Sequence, residues 1–194
     1  MYFKNQKFFV AGISVSGESS ARFLLERGAD VYIYDDVITD KVSQVMEELS
    51  LIGARIVTAD GCREAAYKCD ILVLSPGIPI DTAIPVSFRK QGKLIIGESE
   101  LAAMYLRATA VAVTGTNGKT TTVTMLDEIM RANNKKCVAC GNNGNPIIKY
   151  VEDLSFNDFA VLEISSFQLE TLSSLKPHIA VVTNITEDHL NRHY

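Results

Sequence analysis

The second half of this 194-residue chain is built around one segment, Val113-Thr114-Gly115-Thr116-Asn117-Gly118-Lys119-Thr120-Thr121. An apolar run precedes it and an amphipathic stretch, Thr120 to Ala132, follows it, so the predicted order is strand, glycine turn, helix. The glycines allow successive backbone N–H groups to point inward, and a helix N-terminus adds partial positive charge. This arrangement is typical of phosphate binding, with Lys119 reaching the outer phosphates of a nucleotide and Thr120 ligating Mg²⁺.

The segment departs from the common phosphate-loop pattern G-x-x-x-x-G-K-[ST], because Val113 stands at the first glycine position. A glycine turn that only links a strand to a helix is the alternative. A Lys-Thr pair at a helix start has no structural purpose of its own, which favours the binding role. The residues expected to contact a nucleotide are Gly115, Thr116, Asn117, Gly118, Lys119, Thr120 and Thr121.

The composition is that of an ordinary globular protein. Apolar residues make up 47% and charged residues 22% of the chain, close to the averages for folded domains. Nineteen Lys and Arg against 23 Asp and Glu give a net charge of −4, which predicts no surface for nucleic acid or anionic membrane. No apolar stretch resembles a spanning helix or a secretory signal. We therefore expect a cytoplasmic protein with reduced cysteines.

Short β-branched or aromatic runs alternate with helical periodicity along the chain, which is typical of βαβ units and parallel sheets covered on both faces. The pattern predicts an α/β fold: a Rossmann-like parallel-sheet domain over residues 1–106, then a truncated P-loop ATPase α/β domain over 107–194. The boundary near Arg107 rests on the restart of the pattern. Predicted strands cover Lys7 to Ala11, Asp30 to Tyr34, Asp70 to Leu74, Lys93 to Ile96, Ala110 to Val113, Lys136 to Ala139, Phe159 to Ile164 and Ile179 to Thr183.

Helical periodicity adds three expectations about packing. A helix over Glu18 to Arg27 crosses between the first two strands, and Thr39 caps the helix that follows the second strand. In the second domain, one face of the helix after the glycine turn is expected to pack on the core. That face consists of Met125, Leu126, Ile129 and Met130.

Two polar residues follow predicted strands of the second domain. Glu163 ends an apolar run at the carboxyl edge of the sheet, where parallel sheets bind ligands, and is therefore the natural Mg²⁺ ligand. His189 follows the next strand and is expected to be a second metal ligand or a contact to a substrate phosphate. The alternatives are a glutamate that stabilises the helix over Ser165 to Leu172, and an ordinary surface histidine.

A second glycine turn, Gly12-Ile13-Ser14-Val15-Ser16-Gly17, follows the first strand and resembles a dinucleotide fingerprint. Ser14 stands where that fingerprint has the glycine that admits a pyrophosphate. Tight NAD binding, and with it an NAD-dependent oxidoreductase, is therefore disfavoured. The turn can still hold a diphosphate through the N–H groups of Val15 and Ser16.

Polar residues near that turn extend the predicted nucleotide site. Asp35 and Asp36 end the second strand, and Asp35 can accept hydrogen bonds from a base or ribose. Ser75-Pro76-Gly77 follows the fourth strand at the same sheet edge, with a purely structural tight turn as its alternative. In the second domain, Cys137-Val138-Ala139-Cys140 has the spacing of a zinc or redox pair. No matching pair follows, so we expect it to lie in a buried strand.

Four motifs in order resemble the Mur ligases of peptidoglycan synthesis, and the two turns of the first domain extend the resemblance across the chain. The motif from Glu163 to Glu170 is most similar to that of the D-glutamate-adding members. Asn143, Ser14 and Asp36 depart from the usual residues of the family. The four motifs are Thr114-Gly115-Thr116-Asn117-Gly118-Lys119-Thr120-Thr121, Gly141-Asn142-Asn143-Gly144-Asn145-Pro146, Glu163-Ile164-Ser165-Ser166-Phe167-Gln168-Leu169-Glu170 and Asn184-Ile185-Thr186-Glu187-Asp188-His189-Leu190-Asn191-Arg192-His193.

The resemblance implies an ATP-dependent amide ligase that adds D-glutamate to UDP-N-acetylmuramoyl-L-alanine through an acyl phosphate, with ATP and Mg²⁺ as cofactors. It implies that Lys119 and His189 are catalytic, and that Thr120, Glu163 and His189 hold Mg²⁺. The implied contacts to the UDP substrate are Val15, Ser16, Asp35, Asp36, Ser75, Gly77 and Asn142.

The resemblance also implies that much of the family chain is absent, including a carbamylated lysine, the adenine-binding residues and a C-terminal domain beyond Tyr194. The chain is then expected to be inactive alone. The alternative is a non-catalytic fragment that binds a UDP-sugar or a nucleotide. A folylpolyglutamate synthetase would share the phosphate loop but would not explain the turn of the first domain.

Overall fold

The computed structural model describes residues 3–190 and 192–193. These residues form two compact units that divide between Glu98 and Ser99. Each unit is a parallel β-sheet with helices packed on it. The predicted α/β class with two parallel sheets is therefore confirmed.

The first unit contains a five-stranded sheet of order β3-β2-β1-β4-β5. The central strand β1 is an apolar run with Phe8, Phe9, Val10 and Ala11 completely buried, because helices cover both faces of the sheet. The elements are β1 (Lys7–Ala11), α1 (Val15–Glu26), β2 (Asp30–Tyr34), α2 (Asp40–Leu51), β3 (Arg55–Ile56), α3 (Cys62–Lys68), β4 (Ile71–Leu74), α4 (Ala83–Lys90) and β5 (Leu94–Gly97).

The second unit contains a four-stranded sheet of order β7-β8-β6-β9. Strand β8 is buried along four of its five residues, whereas β9 lies at an edge and is mostly exposed. The elements are α5 (Glu98–Ala103), β6 (Thr109–Thr114), α6 (Lys119–Ala132), β7 (Cys137–Gly141), β8 (Phe159–Glu163), α7 (Ser166–Leu169) and β9 (Ile179–Val182). Within the described residues, no helix has the length and apolar character needed to cross a membrane.

The division between the units falls earlier than the predicted boundary near Arg107. The reason is helix α5, whose side chains bond to the second unit. Ser99 accepts a hydrogen bond from Gln168, and the Glu100 carboxylate accepts hydrogen bonds from Ser173 and Ser174. The predicted boundary was based on where the strand and helix pattern begins again, and that pattern does not reveal these contacts.

The exposed face of α6 corrects one packing prediction. Leu126 and Met130 pack against the core of the second unit, but Met125 and Ile129 are 56% and 54% exposed. A helix on one face of a narrow sheet buries only a limited stripe, and Val123 lies at the centre of that stripe. The helix predicted over Ser165 to Leu172 is also shorter, because α7 ends at Leu169.

Two local predictions are confirmed. The Thr39 side chain accepts a hydrogen bond from the Val42 N–H and caps α2. Cys137 and Cys140 are buried in β7. Burial, followed by the neighbouring Asp127, raises the pKa of Cys137 to about 12, so this thiol is protonated at neutral pH.

The packing of α1 on the first glycine turn allows a stability test. A Cβ at position 17 would lie 1.9 Å from the backbone oxygen of Gly12. Backbone cannot move aside cheaply, so we expect Gly17→Ala to destabilise the first unit by about 2 kcal/mol or more. Gly77→Ala is the matched control, because an added Cβ there meets no atom within 4 Å. Hydrogen exchange of the β1 amides measures the change, and equal protection in the two variants would contradict the packing.

Candidate functional site

The segments that follow β6, β8 and β9 converge at the carboxyl edge of the second sheet. The parallel register pairs Val113 with Glu163 and Thr114 with Val182. The glycine loop, Glu163 and the segment after β9 therefore begin side by side, at the edge where parallel sheets bind ligands.

Two glycines are required by the loop between β6 and α6. Gly115 has a φ of 130°, and a Cβ there would lie 2.2 Å from Thr183 Oγ1. Gly118 has a φ of 86° and directly precedes α6. Both backbone conformations favour glycine, so the loop closes tightly against the segment after β9.

Asn184 fixes the conformation of this loop with hydrogen bonds to two consecutive residues. Its backbone oxygen accepts from the Thr116 N–H at 3.0 Å, and its side-chain Oδ1 accepts from the Asn117 N–H at 3.0 Å. Its Nδ2 donates back to the Asn117 carbonyl at 2.9 Å. The motif contains Asn184, but sequence reasoning gave it no role. The available signal was its position two residues after β9, at the carboxyl edge of the sheet.

The amides that remain for a ligand lie at the start of α6. Over residues 3–190 and 192–193, no acceptor bonds to the N–H groups of Gly118, Lys119, Thr120 or Thr121. These donors lie at the positive end of a 14-residue helix. Among the seven residues predicted to contact a nucleotide, the N–H groups of Thr116 and Asn117 are already bonded to Asn184.

The Lys119 side chain lies across the loop. Its ammonium group donates to the carbonyls of Gly115 at 2.6 Å and Thr116 at 2.8 Å. An ammonium group has three N–H donors, so one remains for another acceptor. The arrangement places a positive charge beside the free amides of the helix start.

Glu163 is a buried carboxylate with one unsatisfied oxygen. Its side chain is 2% exposed, and Oε1 accepts from Asn142 Nδ2 at 3.1 Å. Oε2 is buried, and it has no hydrogen-bond partner among residues 3–190 and 192–193. Leaving such an acceptor unpaired is costly, and a hard cation or its water shell would satisfy it. This oxygen fits a Mg²⁺ ion at the sheet edge.

The three predicted metal ligands do not form a ready-made protein cage. In the described part of the chain, no group of three or more His, Cys, Asp and Glu residues is placed to hold a metal ion. Mg²⁺ commonly keeps several waters and binds through one or two carboxylates plus substrate phosphates. Glu163 fits that mode as the protein carboxylate, with phosphate oxygens and water among the remaining ligands. Thr120, the second residue of α6, is exposed and stays a predicted ligand.

His189 is oriented by an aromatic contact. Its ring centroid lies 4.8 Å from that of Phe167 in α7, and its backbone has a φ of 51°. The Arg192 guanidinium stacks on the same Phe167 ring at 4.4 Å and forms an ion pair with Glu170. No hydrogen bond or ion pair among the described residues joins His189 to Glu163 or Lys119. The His189 side chain therefore contacts the Phe167 ring of α7 and the adjacent Asp188 carboxylate.

The first unit has a similar turn at the carboxyl edge of its own sheet. Asp35 Oδ2 accepts from the Ile13 N–H at 2.6 Å, and Oδ1 accepts from the Val37 N–H at 2.9 Å. The Ser14 and Ser75 hydroxyls lie 3.0 Å apart. Asp35 and Ser75 thus order the turn itself, while the N–H groups of Val15 and Ser16 at the start of α1 bond to no acceptor in the described ranges.

Asp36 bonds to a neighbouring phenol and lines a cavity. The Tyr34 hydroxyl donates to Asp36, and this bond, with burial, raises the pKa of Tyr34. A cavity of about 400 Å³ opens beside Asp35 and Asp36. Its apolar walls include Ile38, Met46 and Val57. Gly77 is exposed and follows β4. The cavity is lined by residues that follow β2 and β3, so Gly77, the cavity and the glycine turn all lie at the carboxyl end of this parallel sheet.

Family comparisons match both units. The family model for the Mur ligase MurD-like N-terminal domain matches residues 6–97, and that for the Mur ligase middle domain matches residues 113–194. A UDP-N-acetylmuramoylalanine--D-glutamate ligase of Acidobacterium capsulatum is 41% identical over 193 residues, and that of Desulfatibacillum aliphaticivorans is 36% identical over 193 residues. These alignments cover 100% of this chain and 42% and 43% of the relatives. The chain therefore spans less than half the length of the curated relatives it matches.

A solved structure has the same fold. The UDP-N-acetylmuramate:L-alanyl-gamma-D-glutamyl-meso-diaminopimelate ligase of Neisseria meningitides matches with a TM-score of 0.59 and 17% identity. The match covers 97% of this chain and 63% of that chain. With two family models that together span both units, and with the loop and buried carboxylate described above, this chain belongs to the Mur ligase family.

Proposed function

We propose that this chain provides the UDP-substrate domain and part of the ATP-binding domain of a ligase that adds D-glutamate to UDP-N-acetylmuramoyl-L-alanine. The names of relatives at 36–41% identity support the reaction and its substrates. The observation that carries the proposal is the buried Glu163 with its unsatisfied oxygen at the sheet edge where the loop of Lys119 begins. Bacterial enzymes that use ATP as a substrate act in the cytoplasm, and we propose that location for this chain.

A carboxylate resists attack by an amine, so the proposed reaction proceeds in two steps. The L-alanyl carboxylate oxygen attacks the γ-phosphorus of ATP, the bond to the bridging oxygen breaks, and ADP leaves with that electron pair. The amine of D-glutamate then attacks the acyl carbon, phosphate leaves, and the amine gives up a proton as the amide forms. Both steps bring negatively charged oxygens together, so cationic and N–H groups provide most of the catalysis.

The residues of the second unit have separate roles in this proposal. The amides of residues 118–121 and the Lys119 ammonium bind the phosphate oxygens. The Thr120 hydroxyl and Glu163 would hold Mg²⁺, which supplies charge neutralisation between the phosphates. Asn142, bonded to Glu163, contacts the UDP substrate. His189 would hold a second Mg²⁺ or contact the transferred phosphate.

The first unit binds the uridine diphosphate part of the substrate in this proposal. The free N–H groups of Val15 and Ser16 face the diphosphate at the N-terminus of a 12-residue helix. Asp35 and Ser75 bond to the turn, and Asp36 and Gly77 follow neighbouring strands at the same sheet edge. The cavity of about 400 Å³ gives room near the two carboxylates. Calorimetry with UDP-N-acetylmuramoyl-L-alanine tests this role separately from ATP.

Catalysis by this chain alone is a separate question from binding. Because the chain spans 42–43% of its relatives, we expect no phosphate release when UDP-N-acetylmuramoyl-L-alanine, D-glutamate and MgATP are added together. Binding of the UDP substrate without turnover would support the fragment role. Turnover by the chain alone would overturn it.

Removal of the Lys119 ammonium tests the phosphate site. We expect Lys119→Ala to lower kcat at least ~10²-fold in a ligase that contains the whole sequence, as does the loss of one preorganised charge contact. In the chain itself, calorimetry should show a matching loss of MgATP binding. Lys135→Ala is the control, because Lys135 is an exposed lysine just beyond the other end of α6. A Lys119 variant that behaves like the control would refute the role.

Neutralisation of Glu163 tests the metal role. Glu163→Gln keeps the shape of the side chain but replaces one carboxylate oxygen with an amide and removes the charge. We expect the Mg²⁺ concentration needed for ATP binding to rise about tenfold or more, as for loss of one charged ligand interaction. Glu128→Gln, on the exposed face of α6, is the matched control. An unchanged Mg²⁺ dependence in Glu163→Gln would show that the buried oxygen does not bind the ion.

A further inference from the structure

Helix α5 lies outside every motif, yet two of its buried side chains hold the segment that carries α7. Ser99 is 3% exposed, and its Oγ accepts from Gln168 Nε2 at 2.9 Å. Glu100 is also 3% exposed, and its carboxylate accepts from the N–H groups of Ser173 at 2.7 Å and Ser174 at 2.9 Å. The Ser173 hydroxyl donates to the same carboxylate at 2.9 Å. The segment 165–174 is thus tied to α5 in its middle and at its end.

Gln168 extends the Ser99 contact to the start of α7. Its Oε1 accepts from the Ser165 N–H at 2.9 Å and from the Ser165 hydroxyl at 3.1 Å. The Ser165 hydroxyl in turn accepts from the Gln168 N–H, which completes a capping box. Gln168 is 4% exposed. Both acceptor positions of its amide are used, so the side chain has one orientation.

The Glu100 contact is of the charged kind. Burial opposes ionisation, but the donors from Ser174 and Ser173 outweigh it and lower the pKa of Glu100 below its ordinary value. The carboxylate is therefore ionised at neutral pH. Hydrogen bonds to an ionised acceptor are roughly twice as strong as neutral ones.

These contacts matter because α7 is too short to hold its own position. It has four residues, Ser166–Leu169, whereas isolated helices need roughly 12–15 residues to be even marginally stable in water. Its direction therefore comes from tertiary contacts. The residue it presents is Phe167, whose ring lies 4.8 Å from that of His189.

We infer that Ser99 and Glu100 are positioning residues for His189. They act through the 165–174 segment and the Phe167 ring to fix where the imidazole lies at the carboxyl edge of the second sheet. The link to catalysis rests on the proposed function. The contacts between α5, α7 and His189 do not depend on any ligand.

The test uses nuclear magnetic resonance of the 194-residue chain at constant neutral pH. The Phe167 ring displaces the resonances of the His189 ring protons, and Phe167→Leu defines complete loss of that displacement. We expect Ser99→Ala and Glu100→Gln each to lose about half of it or more, since each weakens one of the two ties between α5 and the segment 165–174. Glu128→Gln, an exposed control on α6, should retain it. Retention of the full displacement in both α5 variants would overturn the inference.

A second variant covers the case in which Glu100→Gln fails to fold. Ser173→Ala removes one donor from the same carboxylate, and Ser99→Ala tests the other tie separately.

MgATP calorimetry on the same samples separates the two proposals. A parent chain that does not bind MgATP contradicts the proposed function and leaves the His189 result standing. A parent that binds MgATP, with α5 variants whose His189 resonances are unchanged, contradicts only the positioning role.

Discussion

Gly115 lies so close to Thr183 and Asn184 that no side chain could stand at its position, and this close approach sets the geometry of the loop before α6. Thr183 and Asn184 then bond to the loop backbone at Thr114, Thr116 and Asn117. With those groups satisfied, the N–H groups of the helix start are the donors left over. The residues that follow β9 therefore determine which N–H groups remain for an anion.

The same edge concentrates groups that are only partly satisfied. One carboxylate oxygen of Glu163 accepts from Asn142, and the other is buried without a hydrogen bond from the part of the chain that the structure describes. The neighbouring Lys119 has two carbonyl partners and one spare donor. The Glu163 carboxylate and the Lys119 ammonium each have an unused bonding position at the carboxyl edge of the same sheet. A phosphate with a bound cation would complement both groups, because it carries a negative and a positive charge.

Much of the fold could be predicted because it depends on local pattern. The bounds of β1 and β2 agree with prediction to the residue, since each is an apolar run between polar turns. The exposure of Met125 and Ile129 could not be predicted. Helical periodicity shows that a face is apolar, but the width of the sheet beneath decides how much of that face is covered.

The site divides in the same way. Lys119 and Glu163 could be found because their chemistry is tied to a position after a strand or before a helix. Asn184, Gln168 and Ser99 could not be given roles, because their partners lie 67–69 residues away in the chain. Nothing in a single sequence records such a pairing when both residues are common polar types.

The two units hold their glycine turns in place with side chains of different charge. In each, a side chain from the carboxyl end of a neighbouring strand accepts from an amide of the glycine turn: Asp35 from Ile13 in the first unit, Asn184 from Asn117 in the second. Both leave amides at a helix start for an anion. The first unit uses a carboxylate, which repels a highly charged ligand, whereas the second uses a neutral amide and adds Lys119. This difference agrees with the proposed function, in which the first turn binds a diphosphate ester and the second binds a triphosphate with its cation.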